Sequence, residues 1–136
     1  MITSNDHSVK FTMPAQKEAI SDTLNEITAE IAKIDPEIPD LDFCLEMAVR
    51  EMLANAIEHG CKNSEQKIEI TLQVNTNRVK LSVRDPGKGF NCEKINMAEM
   101  PGLEEKGRGL TMIKQAVDEM HFNETGNKIT VYFKST

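Results

Sequence analysis

Between Lys67 and Val83 the chain reads KIEITLQV, a polar turn NTNR, then VKLSV, so that apolar and polar residues alternate on both sides of the turn. A period of two places successive side chains on opposite faces, and the pattern predicts two antiparallel, half-buried strands. One face then carries Ile68, Ile70, Leu72 and Val74 beside Val79, Leu81 and Val83. An apolar sheet face must be covered by another layer, so the rest of the chain has to supply one.

Helical stripes supply it. Ile20, Leu24, Ile27, Ile31 and Ile34 recur at the spacing of one helix face, ended before Pro36. That single stripe suffices to read the segment as core. The connector DPEIPD, Asp35 to Asp40, offers an N-cap for a second helix from Leu41 to about His59, whose stripe is Leu45, Val49, Met52, Leu53 and Ala56. Gly60 is expected to stop it. A third helix is marked by Leu110, Ile113, Ala116, Val117 and Met120. Short strands are expected over Val9–Met13 and Ile129–Phe133, with Pro14 in the first turn of the helix that follows. Pro86 to Lys106 is polar and too long for a routine connection, which suggests a functional lid over about 86–106. The expected fold class is therefore α/β (α+β): a two-layer sandwich with a mixed, largely antiparallel sheet covered on one face by helices. At 136 residues with 39% hydrophobic content, a single domain spanning 1–136 is the expectation.

Charge narrows the function. A formal net charge of -6 provides no positive field for a nucleic-acid backbone or an anionic membrane surface, so neither is an expected partner. A bound polyanion must be held locally, by a metal ion, backbone amides or single basic side chains. No apolar run reaches the roughly 18 residues of a membrane span, and MITSNDHSVKF lacks a signal pattern; a cytoplasmic protein is expected. Cys44, Cys61 and Cys92 are odd in number and unevenly spaced, which reads as free thiols. His59 and Cys61 have no second close pair to complete a metal site.

Three motifs carry chemistry. In EMLANAIEH, Glu51, Asn55 and His59 fall on one helix face at about 100° per residue. An amide oxygen at Asn55 suits magnesium, and a carboxylate one turn earlier, Glu51, can accept a proton while the metal holds phosphates. Read alone, the same residues are a solvated polar face. In DPGKGF, Asp85 ends a strand and Gly87 and Gly89 allow close approach of a ligand; a buried carboxylate there would accept from the exocyclic amine of adenine. Read alone, D-P-G is a turn. In KGRGLTMI, Gly107 and Gly109 open an amphipathic helix whose free amides favour an anion, with Lys106 and Arg108 adding charge and Leu110 following. The run is neither a P-loop nor a complete dinucleotide fingerprint.

In this order the three motifs resemble the N box and the two glycine boxes of the ATPase superfamily that contains histidine kinases, gyrases and mismatch-repair ATPases. The resemblance covers nearly the whole chain. Its length, ANAIEHG and GRGLTMIKQAVDEM look most like the bacterial anti-sigma-factor serine/threonine protein kinases. The resemblance implies a Bergerat-type fold, ATP and Mg2+ as cofactors, Glu51 as general base, Asn55 as magnesium ligand and Asp85 as adenine acceptor. It implies that Gly87, Gly89, Gly107, Gly109 and Leu110 shape the nucleotide pocket and that Lys106 or Arg108 contacts the terminal phosphate. For His59 a structural hydrogen-bonding role is expected. The partners it implies are a STAS-type anti-anti-sigma protein as phosphorylation substrate, a sigma factor that is sequestered, and a second copy in a homodimer. The competing reading is a nucleotide-responsive binding module that transfers no phosphate.

Overall fold

The computed structural model describes residues 7–87 and 104–135, with 104–108 described by backbone alone. Strand β1, His7–Pro14, leads through a short 3-10 turn, Lys17–Ala19, into helix α1, Ile20–Ala32. Helix α2 is Leu41–Gly60, followed by strands β2, Lys67–Asn75, and β3, Arg78–Arg84. Helix α3, Glu104–Ala116, precedes β4, Glu119–Phe122, and β5, Lys128–Lys134.

The strands form one sheet in the order β1, β2, β3, β5, β4, antiparallel at every described pairing. The expected hairpin is present in the expected register, with Leu72 opposite Leu81 and Val74 opposite Val79. The mixed component of the expected sheet is absent among the described pairs, and the topology gives the reason. Strands β3 and β4 point the same way, but β5 is inserted between them and pairs antiparallel with both. The β3–α3–β4 crossover is thus a split unit with no parallel ladder.

All three helices lie on the face that carries the alternating apolar residues. Ile68, Ile70, Leu72, Val79, Leu81 and Val131 are completely buried there, under Ile27 of α1, Val49 and Leu53 of α2 and Ile113 of α3. At about 25 cal/mol per Å2 of apolar surface removed from water, this layer is the dominant stabilising contribution. Helix α2 packs against both α1 and α3 and spans about 30 Å, so it is the backbone of the helical layer. The opposite sheet face is polar: Ser82 and Thr130 share a hydrogen bond of 2.8 Å, and Tyr132 is approached by Arg78, Lys80 and Lys134. Among the described residues no helix is long and apolar enough to cross a membrane. Cys44 and Cys61 are free thiols.

Several local expectations change. Pro14 closes β1 opposite Lys67 and does not start a helix; the chain turns once more before α1. Asp40 occupies the N-cap position of α2, but its left-handed backbone (φ 54°) leaves the side chain without a capping bond. Helix α3 begins at Glu104 and ends at Ala116, so Met120, assigned to the helix by its spacing, lies instead in β4. That four-residue strand is too short to show a period against the preceding helical pattern. The lid expected over 86–106 falls almost wholly outside the described residues, as do Gly89 and Cys92.

The edge strand β1 is tied to α1 by Glu30, which accepts from His7 and from Lys33. These bonds, His7 first, hold the Glu30 carboxyl below its ordinary value of 4.5. A depressed folded value stabilises above the unfolded value and loses that contribution as pH falls through the folded one. Thermal melts of Glu30→Gln should therefore fall below the parent protein near pH 6 and converge with it once the pH is taken well below about 4.5.

Candidate functional site

Helix α2 turns its C-terminal half toward α3 and toward the ends of β3 and β5, and a cavity opens there. Asn55, Ala56, His59 and Gly60 of α2 line it, together with Asp85 beyond β3 and Leu110 and Ile113 of α3. Gly126 and Asn127, from the turn before β5, complete the wall. Its volume is about 60 Å3. At about 10–15 Å3 per water position that is room for a handful of waters, the scale of a ring and not of a whole nucleotide.

Asp85 is positioned by three backbone segments. Its own amide donates to the Asn127 carbonyl at 2.9 Å, and its Oδ1 accepts from the Gly87 amide at 2.8 Å. Asn127 Nδ2 donates in turn to the Gly87 carbonyl at 3.3 Å, which ties the segment after β3 to the turn before β5. The third segment is the end of α2. A Cβ on Gly60 would lie 2.1 Å from Asp85 Cγ, and a Cβ on Gly87 would lie 2.7 Å from the Gly60 carbonyl oxygen. The backbones at 60 and 87 and the carboxylate at 85 interlock with no space for side-chain atoms.

These distances give the reason for a glycine at position 60. Helix α2 ends at Gly60 as expected, followed by an extended Cys61, but without a left-handed glycine. Among the described glycines only Gly126 has a positive φ, at 81°. Gly60 is small because a carboxylate needs the volume beside it. The neighbouring Cys61 thiol is pushed up from its ordinary value by burial and then by the charge of Asp85, which keeps it protonated and unreactive near neutrality.

The other half of the site lies one to two turns back along α2. A Cβ on Gly109 would sit 3.1 Å from Glu51 Oε2 and 3.3 Å from both polar atoms of the Asn55 amide. The structure thus brings Glu51, Asn55 and Gly109 together, and the missing side chain at 109 lets α3 approach both polar groups more closely than a Cβ would allow. Asn55 Nδ2 is buried and has no hydrogen-bond partner among the described residues. An unpaired buried amide costs about 1–3 kcal/mol, a penalty that a ligand supplying an acceptor would remove. His59 lines the cavity and lies 4.0 Å from Glu58 Oε2, an ion-pair distance and not a hydrogen bond. Leu110 is buried in the apolar core and forms part of the cavity wall.

Gly107 and Gly109 are the fourth and sixth residues of α3, inside the helix and not at its opening. The first four amides of a helix lack intrahelical acceptors, so the free donors belong to residues 104–107, and Gly109 instead permits the close approach of α3 to Glu51 and Asn55. Lys106 and Arg108 belong to the first turns of this helix; their side chains, and Gly89, are outside the described residues. The described residues contain no group of three His, Cys, Asp or Glu side chains able to hold a metal. Asn55, beside phosphate oxygens and waters, is the kind of sparse protein ligand that magnesium accepts.

Sequence reasoning missed the turn before β5. Asn123 Oδ1 accepts from the amides of Gly126 and Lys128 at 2.8 and 3.1 Å, while its Nδ2 donates to Asn127 Oδ1 at 2.8 Å. The signal was present in NETGNK, where Asn and Gly mark a turn, but nothing local shows that this turn meets Asp85.

Comparison with known proteins follows the same lines. Residues 13–133 match the family described as the histidine kinase-like ATPase domain. The chain is 27% identical to the anti-sigma F factor of Clostridium beijerinckii, with 98% of this chain and 95% of that one aligned. It is 31% identical to an anti-sigma F factor of Bacillus cereus over 85% of this chain and 81% of the relative. Among solved structures, the RsbU and RsbW domains of a Mycobacterium tuberculosis protein superpose with a TM-score of 0.62 at 20% identity. That match covers 95% of this chain and 32% of the mycobacterial one, so the chain spans about a third of that protein, and the likeness is one of fold.

Substitution at Gly60 separates the two readings of that residue by sign. Were it only a helix residue, Gly60→Ala would stabilise by up to about 1 kcal/mol through helix propensity. The clash with Asp85 predicts a loss of about 1–3 kcal/mol instead, read as a lowered denaturant midpoint.

Proposed function

The chain belongs to the histidine kinase-like ATPase domain family, and from that premise we propose that it is an ATP-dependent anti-sigma factor and protein serine/threonine kinase. In this reading it sequesters a sigma factor and phosphorylates an anti-anti-sigma protein of the STAS type. The observation that carries the reading is Asn55 Nδ2, buried without a hydrogen-bond partner among the described residues, beside Glu51 and closely approached by Gly109 of α3. The names of the relatives, anti-sigma F factors over most of their length, support the regulatory part.

Each described group has a task under this proposal. Asp85, held between Gly60, Gly87 and Asn127, accepts from the exocyclic amine of adenine in the ring-sized cavity. The sugar and phosphates extend past it toward α3. There the Asn55 amide presents Nδ2 to a phosphate oxygen, or, turned about its last torsion, Oδ1 to Mg2+. Bound Mg2+ supplies neutralisation of the charge on the terminal phosphates. Amides at the start of α3 add dipolar stabilisation, and Lys106 and Arg108 are the cations proposed for the terminal phosphate.

Glu51 accepts the proton of a serine or threonine hydroxyl as that oxygen bonds to the γ-phosphorus and the bond to the β–γ bridging oxygen breaks, releasing ADP. The added phosphate charge weakens the contact with the antagonist and frees the kinase for the sigma factor. A homodimer is part of the proposal, as is a cytoplasmic location.

Labelled ATP, Mg2+ and the anti-anti-sigma protein encoded nearest the chain provide the test. Glu51→Ala should lower transfer by about 10²- to 10⁴-fold, with ATP affinity changed far less. Asn55→Ala should abolish the thermal shift given by ATP with Mg2+. Undiminished labelling by Glu51→Ala removes Glu51 from the chemistry. Tight sigma-factor binding with no transfer under any condition identifies a binding module instead.

A further inference from the structure

At the other end of α2 lies a second concavity of about 620 Å3, formed where the end of α1, the connector and the first turns of α2 meet. Its size is within the range of ordinary binding sites, but its chemistry is unlike that of the nucleotide cavity. The floor is apolar, made by Ile31, Ile38, Leu41 and Leu45. One wall is Phe43, 67% exposed, the most exposed large apolar side chain among the described residues. A single exposed apolar residue is ordinary; one that stands over an apolar groove extends its contact surface.

The remaining lining is anionic. Asp35, Asp40 and Asp42 border the groove, and among the described residues no ion pair reaches any of them. Lys33, beyond the end of α1, is engaged by Glu30 at 3.0 Å. The carboxylates exclude a phosphate or other anion, and no cluster able to hold a metal is present among the described residues. An apolar trough with an acidic border complements an apolar stripe flanked by cations.

We propose that the groove between α1 and the N-terminal turns of α2 docks a basic amphipathic helix of a protein partner. Leucine-like residues of that helix at i, i+3 or i+4, and i+7 enter the trough beside Phe43. Its Lys and Arg side chains face Asp35, Asp40 and Asp42. Phe43 and Asn55 are separated by about 18 Å along α2, so docking leaves the nucleotide cavity open and needs no nucleotide. The assignment rests on the shape and charge of this groove and stands or falls separately from the kinase reading.

Titration of the 15N-labelled full chain with a synthetic helix of about five turns, a leucine stripe flanked by Lys and Arg, tests it. Saturable amide shifts centred on Thr28–Leu45 and weakened by salt are expected. Phe43→Ala should raise Kd about tenfold, with an unchanged melting temperature because the side chain is exposed. The double variant Asp35→Asn with Asp42→Asn should weaken binding and flatten its salt dependence. A control peptide with the same leucines but Glu for Lys and Arg should not bind. Equal binding of that control, absence of saturable shifts, shifts centred elsewhere, or an unchanged Kd in Phe43→Ala overturns the proposal. Self-association of the chain that disappears in Phe43→Ala likewise overturns it, assigning the groove to a second copy.

Discussion

The Asp85 carboxylate occupies the volume where a side chain at position 60 would stand, and the architecture around the candidate site depends on that close approach. It fixes the end of α2 against the segment that leaves β3, and through Asn127 it draws in the turn before β5. A carboxylate placed among backbone segments cannot swing, because the atoms around it belong to three elements that are each anchored in the core. The directional acceptor at the cavity is therefore a product of packing and not of a flexible loop.

Helix α2 carries this arrangement because its two faces answer to different constraints. Val49, Met52, Leu53 and Ala56 bind it to the sheet and neighbouring helices, while Glu51, Asn55 and His59 look out along another face. The apolar stripe removes the freedom of the helix to roll, which gives the polar face a fixed direction toward α3. Asn55 Nδ2, buried without a partner among the described residues, is the cost of that rigidity.

How far the sequence could be read follows from the range of the interactions involved. The β2–β3 hairpin, the three stripes and the helical layer rest on periods of 2 and 3.6 residues, and these are local. The N box could be read for the same reason, since Glu51 and Asn55 share a face whenever the segment is helical. The helix end at Gly60 is legible, but the reason for a glycine there is not, because the carboxylate that displaces its side chain comes from 25 positions later in the chain. The start of α3 and strand β4 were misplaced because four-residue segments carry too little pattern. Asp40 has the side chain of an N-cap but not its backbone, a difference that φ decides and composition does not. The turn around Asn123 and Asn127 could be recognised as a turn but not as a wall of the cavity, since its meeting with Asp85 is tertiary.

The insertion of β5 between β3 and β4 carries a consequence for biosynthesis. The sheet cannot be completed by adding strands in chain order, because the last one enters between two that precede it. The amide of Asp85 waits for the carbonyl of Asn127, and that segment is held only once residues up to about Lys134 have paired with Arg78. A chain in which residues 128–134 have not yet paired thus has α2 and its hairpin but no closed cavity. Ligand capture becomes available only once β5 has paired, in a late step that joins segments distant in the sequence.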